Sequence, residues 1–135
     1  MLRKEIEKAN LLYIIEEKVF SDYKILTKSK FLLLYSSVIS SEWYVKNYNT
    51  PIELSFCKPK DPEESYALRG HIWIHPQHRR EPELLHEIAH AVTPGCERLG
   101  HTKNFCRRYL EFVRYYLGEE IFLYFRYELQ KNKLI

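Results

Sequence analysis

The stretch from Glu81 to Pro94, EPELLHEIAHAVTP, limits what this chain can fold into more than any other segment. Pro82 suits the first turn of a helix, where its missing N–H is no loss, and Pro94 forces Thr93 away from helical geometry and ends it. Between them His86 and His90 stand four apart, so both imidazoles project from one face, one turn above the other. Leu85, Ile88, Ala89 and Val92 take the remaining faces. Such a helix can bury itself in a core while presenting its histidines to a cleft. The fold must therefore be built around this element.

Two imidazoles so placed can reach one divalent ion, and Glu87 lies beside His86. In a His-Glu-x-x-His arrangement the histidines hold zinc, and the carboxylate stays off the metal as a general base. Zinc lowers the pKa of its water from about 15.7 to about 7 and polarises a carbonyl, so no side-chain nucleophile is needed. A catalytic zinc also asks for a third protein ligand and one open position. His101 is the first choice for that ligand, because it follows Gly100 and a loop containing Pro94 and Gly95 can bring it back toward the pair. Cys96 and Glu97 compete. Cys96 falls where metzincins place a third histidine, but Thr93 stands where their turn needs glycine. Glu97 follows too closely for zincins that use a glutamate from a separate helix. Two isolated histidines four apart are commonly surface or satisfied core groups; Glu87 and Gly100-His101 shift the balance toward a site.

The rest of the chain reads as one domain over 1–135, with an N-terminal helical part at 1–42 and a motif-bearing core at 43–129. At 135 residues, 45% hydrophobic and 29% charged, it is long enough to bury a core without staples. Ile6, Ala9, Tyr13 and Val19 recur at near-helical spacing and predict a helix over Lys4–Val19, with a strand as the alternative for 11–15. Thr27 can cap a second helix over Lys28–Ser40, after which Trp43, Tyr44 and Val45 anchor a turn. Pro51–Phe56 and Tyr66–Ile74 alternate as two strands, joined most simply as a hairpin by the proline-bearing loop 58–65. His101–Leu117 carries Phe105, Tyr109, Phe112, Val113 and Tyr116 on one stripe and stops at Gly118; Glu119–Leu129 is a last aromatic helix.

Several classes are disfavoured. The apolar runs 31–35 and 121–125 are far too short to span a bilayer, and no cleavage site follows a hydrophobic leader. Three cysteines, Cys57, Cys96 and Cys106, are too few and odd for a disulfide framework, so a cytoplasmic location is expected, with Cys57 and Cys106 as small core fillers. A net charge of +3 is only mildly basic. Arg79-Arg80 and Arg107-Arg108 could meet phosphates, but a nucleic-acid partner normally requires a larger one-sided cluster. The tryptophans and eleven tyrosines are read as core rather than a base-stacking platform. His71 and His75 would share one strand face; with His78 they are read as strand-end polar residues rather than a second metal cluster.

With HEIAH in place, GHTKNFCRRYLEF completes a pattern in which Gly-His-x-x-x-Phe opens an aromatic helix. This resembles the SprT-like zinc metallopeptidases, and more closely still small zinc metallohydrolases of similar length, over about Trp43–Leu129. The resemblance implies an α+β, zincin-like (minigluzincin or SprT-like) fold with a small antiparallel sheet, a central HExxH helix and flanking helices. It implies Zn2+ held by His86, His90 and His101, with Glu87 as catalytic base. It further implies a peptide or protein substrate, paired in extended form along the strand 70–75. SprT-like members usually show Gly-His-Gly-x-x-Phe, whereas Thr102 stands at that place here. Those known to act on DNA-crosslinked proteins use additional binding regions, and no separate one is expected within these 135 residues. The oxyanion role stays open among Tyr66, His71, His75 and the C-terminal tyrosines and arginines. The expected activity is zinc-dependent peptide hydrolysis; the alternative is a non-catalytic zinc-containing binding module.

Overall fold

The computed structural model describes residues 2–68, 70–95 and 100–135, with the side chain of Leu2 left aside. Among these, six α-helices and three strands run in the order α1 (Leu2–Val19), α2 (Lys28–Ser40), α3 (Glu42–Asn47), β1 (Glu53–Phe56), β2 (Tyr66–Leu68), β3 (His71–Ile74), α4 (Glu81–Val92), α5 (Lys103–Leu117) and α6 (Glu119–Lys131). A short 3-10 helix, Pro76–His78, precedes α4. The fold class is α+β. The chain forms two compact units, one of Met1–Asp22 with Thr93–Ile135 and one of Tyr23–Val92.

The first unit is helical: α6 packs against both α1 and α5. The buried stripe of α1 is Leu12, Ile15 and Val19, while Ile6 and Tyr13 are about half exposed. This corrects the phase expected from Ile6, Ala9 and Tyr13. Apolar residues occupy 11, 12, 14 and 15 together, so two stripes compete locally and tertiary packing selects one. The α5 stripe is as read through Phe105, Tyr109, Phe112 and Val113, all fully buried, while Tyr116 is only half-buried. Phe20, Tyr109 and Phe125 form an aromatic cluster with centroids 4.9–6.3 Å apart, near the range that favours ring pairs. Lys18 Nζ donates to Glu128 at 3.1 Å, and this partner raises the lysine pKa. A single residue, Gly118 at φ +105°, separates α5 from α6. The left-handed backbone there suits only glycine without strain.

In the second unit Thr27 caps α2, its hydroxyl accepting from the Lys30 N–H at 3.2 Å. Ser41 caps α3 in the same way, so the segment around Trp43 is a short helix rather than the turn expected of it. The sheet has the order β1-β3-β2. β1 runs parallel to β3 and β2 antiparallel to it, so the sheet is mixed, not antiparallel, and β1 and β2 are not hairpin partners. The cause lies at Gly70. Its φ of +80° breaks the alternating run 66–74 into two strands, folding β2 back on β3 with Leu68 opposite His71. The Gly70 carbonyl then accepts from the Glu53 N–H at 2.9 Å and fixes where β1 begins.

β3 consequently has strand neighbours on both sides, whereas β1 and β2 each have one among the described residues. The strand expected to receive substrate is the middle one. Ile72 and Ile74 are fully buried on one sheet face, and β2 and β3 pack against α4. Phe31 of α2 meets Phe56 edge to face at 6.0 Å. His71 and Trp73 occupy the opposite face and are half-buried. Among the described residues no helix is long and apolar enough to cross a membrane.

Candidate metal centre

Helix α4 covers Glu81–Val92, as its prolines predict. Glu81 and Glu83 lie in its first turn, where negative charge meets the positive end of the helix dipole. Arg80 Nε donates to Glu83 Oε1 at 2.8 Å, fastening the entry to the helix. Leu84, Leu85, Ile88 and Ala89 are all buried to within 2% exposure, and the helix packs against its sheet.

On this anchored helix His86 and Glu87 are themselves 5% and 6% exposed, and His90 is half-buried. The Nε2 atoms of His86 and His90 face each other at 3.2 Å, with ring centroids 4.9 Å apart and planes at 56°. Two imidazoles bound to one tetrahedral zinc at about 2.0–2.1 Å would hold their nitrogens about 3.3–3.4 Å apart. The observed spacing and the nitrogen donor set therefore fit that ion. Burying the His86 imidazole and the Glu87 carboxylate carries a cost, and a divalent cation at the histidine pair would offset part of it.

His101 lies just before α5 and packs edge to face with Phe105 at 5.1 Å and with Tyr13 at 6.1 Å. Gly100 precedes it at φ +70°, and Thr102 caps α5 by accepting from the Phe105 N–H at 3.1 Å. The helix thus starts at Lys103, two residues later than the sequence suggests. His86 and His90 belong to one compact unit and His101 to the other. The competing donors Cys96 and Glu97 lie outside the described residues. Cys106 is fully buried, and burial, with Glu16 nearby, pushes its thiol to about 12, which suits a core filler. Cys57 is only half-buried; its thiol is raised by burial and then by Asp61.

The other histidines do not share one face. His71 stays on the outer sheet face, but β3 ends at Ile74 and His75 turns inward, 3% exposed. Its Nδ1 accepts from the Gln77 N–H at 3.1 Å and so caps the 3-10 helix. His78 Nδ1 meets the Ser65 hydroxyl at 2.8 Å, and Ser65 also accepts from the His75 N–H at 2.9 Å. Burial lowers the His78 pKa, against the opposing pull of Glu63. The sequence reading passed over Ser55 and Ser65. The signal for Ser55 was its place two residues after Glu53 on a strand, which puts both side chains on one face. Five of the eleven tyrosines are not core: Tyr13, Tyr66, Tyr115, Tyr124 and Tyr127 are 40–58% exposed, the phenol oxygen favouring contact with water.

A scan against family models, a search of curated proteins and a search of solved structures each return no match to this chain.

Proposed function

We propose that the chain is a zinc-dependent metallopeptidase of zincin-like, SprT-like architecture, acting in the cytoplasm. In this reading His86, His90 and His101 hold the ion and Glu87 is the catalytic base. The observation that carries it is the 3.2 Å approach of the His86 and His90 Nε2 atoms on one anchored helix, with a buried carboxylate between them in sequence. The resemblance of HEIAH and Gly-His-x-x-x-Phe supports the same assignment and adds His101 as the third donor.

Zinc, when bound, supplies an acidified water and polarises the scissile carbonyl. The protein supplies the remainder. His86 and His90 fix the donor geometry through the pitch of α4. The Glu87 carboxylate accepts the proton of the attacking water and returns it to the departing amine nitrogen, a transfer worth about 10²–10⁴-fold. Low exposure at Glu87 keeps bulk water from competing for that proton. An extended peptide substrate is best received on the side of β2 that pairs with no strand among the described residues, where backbone N–H and C=O groups can add a strand.

The test combines elemental analysis with cleavage of an unfolded protein substrate. Wild-type chain should carry one zinc and cleave. Glu87→Gln should carry the same zinc with turnover reduced at least about a hundred-fold. Full activity in that variant, or a metal-free wild type, would end the proposal.

A further inference from the structure

The outer face of the sheet holds a second group of chemically competent side chains. In the parallel register Glu53 lies opposite His71 and Ser55 opposite Trp73, so all four side chains share that face. His71 Nε2 is 2.6 Å from Ser55 Oγ, and His71 Nδ1 is 3.4 Å from Glu53 Oε2. Hydroxyl, imidazole and carboxylate follow one another in the order that activates a serine: acid at Nδ1, nucleophile at Nε2. The carboxylate favours the tautomer with its proton on Nδ1, which leaves the Nε2 lone pair to accept from the hydroxyl.

The imidazole is held in that pose. Its ring lies flat on Trp73, centroids 3.9 Å apart and planes within 2°, and Trp73 in turn stacks on Tyr66 at 4.7 Å. A histidine clamped by a ring stack keeps its two nitrogens aimed along the sheet, as a positioned base requires. Tyr66 and Leu68, each 46% exposed, border the same face and offer an apolar surface beside the hydroxyl.

From this arrangement we propose that Ser55 is a nucleophile activated by His71 and oriented through Glu53, and that it accepts acyl groups from small aryl esters. The Ser55 Oγ–acyl bond forms as the ester C–O bond breaks. The hydroxyl proton passes to His71 Nε2 and from there to the departing phenolate oxygen. Water then attacks the acyl-serine, giving its proton to His71, which returns it to Ser55 as the carboxylic acid leaves. Glu53 keeps its charge throughout. Because its side chain is 83% exposed, water screens it, so it contributes far less than the histidine.

The experiment exposes the full chain to a fluorophosphonate probe and to p-nitrophenyl acetate, locating the adduct by peptide mass analysis. The expected result is one adduct at Ser55 and phenol release that persists with EDTA present, which separates this chemistry from the metal centre. Ser55→Ala should abolish the adduct while leaving zinc content unchanged. His71→Gln should slow labelling about a hundred-fold or more, and the exposed Glu53→Gln only a few-fold. An adduct elsewhere, no adduct, or undiminished labelling in folded His71→Gln would overturn the proposal, as would labelling that disappears with EDTA.

Discussion

The hydroxyl of Tyr109, in the middle of α5, donates to Glu16 Oε2 of α1 at 2.6 Å, across 93 residues of sequence. Tyr109 is fully buried and stacks within the Phe20–Phe125 cluster, so ring and hydroxyl act together: one fills the core and the other satisfies a carboxylate at its border. Tyr109→Phe keeps the ring and removes only the hydrogen bond. A bond to a charged acceptor contributes about 1.5–3 kcal/mol, and that loss should appear as a lower urea midpoint with an unchanged slope.

Gly70 should tolerate no side chain. A Cβ there would stand 3.1 Å from the Pro51 carbonyl oxygen, and φ +80° is strained for any L-residue. Gly70→Ala is expected to lower stability by about 1–3 kcal/mol in thermal or urea unfolding. A neutral outcome would mean that the turn between β2 and β3 can be rebuilt.

The identity of the third donor separates by metal retention. His101→Ala should release zinc to a chelator far more readily than wild type, by at least the roughly 10–100-fold that losing even an outer-shell partner costs. Cys96→Ser should match wild type in the same titration. The reverse pattern would move the third ligand to Cys96.

His78 sets a pH dependence whose sign follows from its lowered pKa. The unfolded chain binds the proton more readily, with an ordinary value of 6.5, so stability is complete above that pH and falls as pH drops through the folded-state value. Unfolding midpoints measured between neutral and acid pH should decline more in wild type than in His78→Gln. Glu63→Gln removes the group that partly restores protonation, so it should steepen the decline.

Much of this was legible in the residues because it was locally encoded. Thr27 and the span of α2, the prolines bounding α4, the α5 stripe and the stop at Gly118 all depend on neighbours within a turn. Sheet order was not. Alternation in 66–74 specifies an extended chain but not where it reverses, and Gly70, inside that run, makes the turn with its backbone. The phase of α1 was lost for a similar reason, since a cluster at 11–15 offers two equally apolar faces. At the candidate metal centre the spacing of His86, Glu87 and His90 was readable because a helix converts sequence distance into position. The Glu53–Ser55–His71 group was not, because it depends on a parallel strand register that brings Ser55 to His71 across 16 residues of sequence.

Carriage of His86, Glu87 and His90 on one uninterrupted helix has a mechanical result. Under the proposed function, the backbone positions of donor pair and base cannot drift apart without unwinding a turn that four buried aliphatic neighbours hold shut. Thermal motion or substitution elsewhere then tilts or shifts the three Cα positions together, so the spacing of the trio is inherited from the peptide backbone.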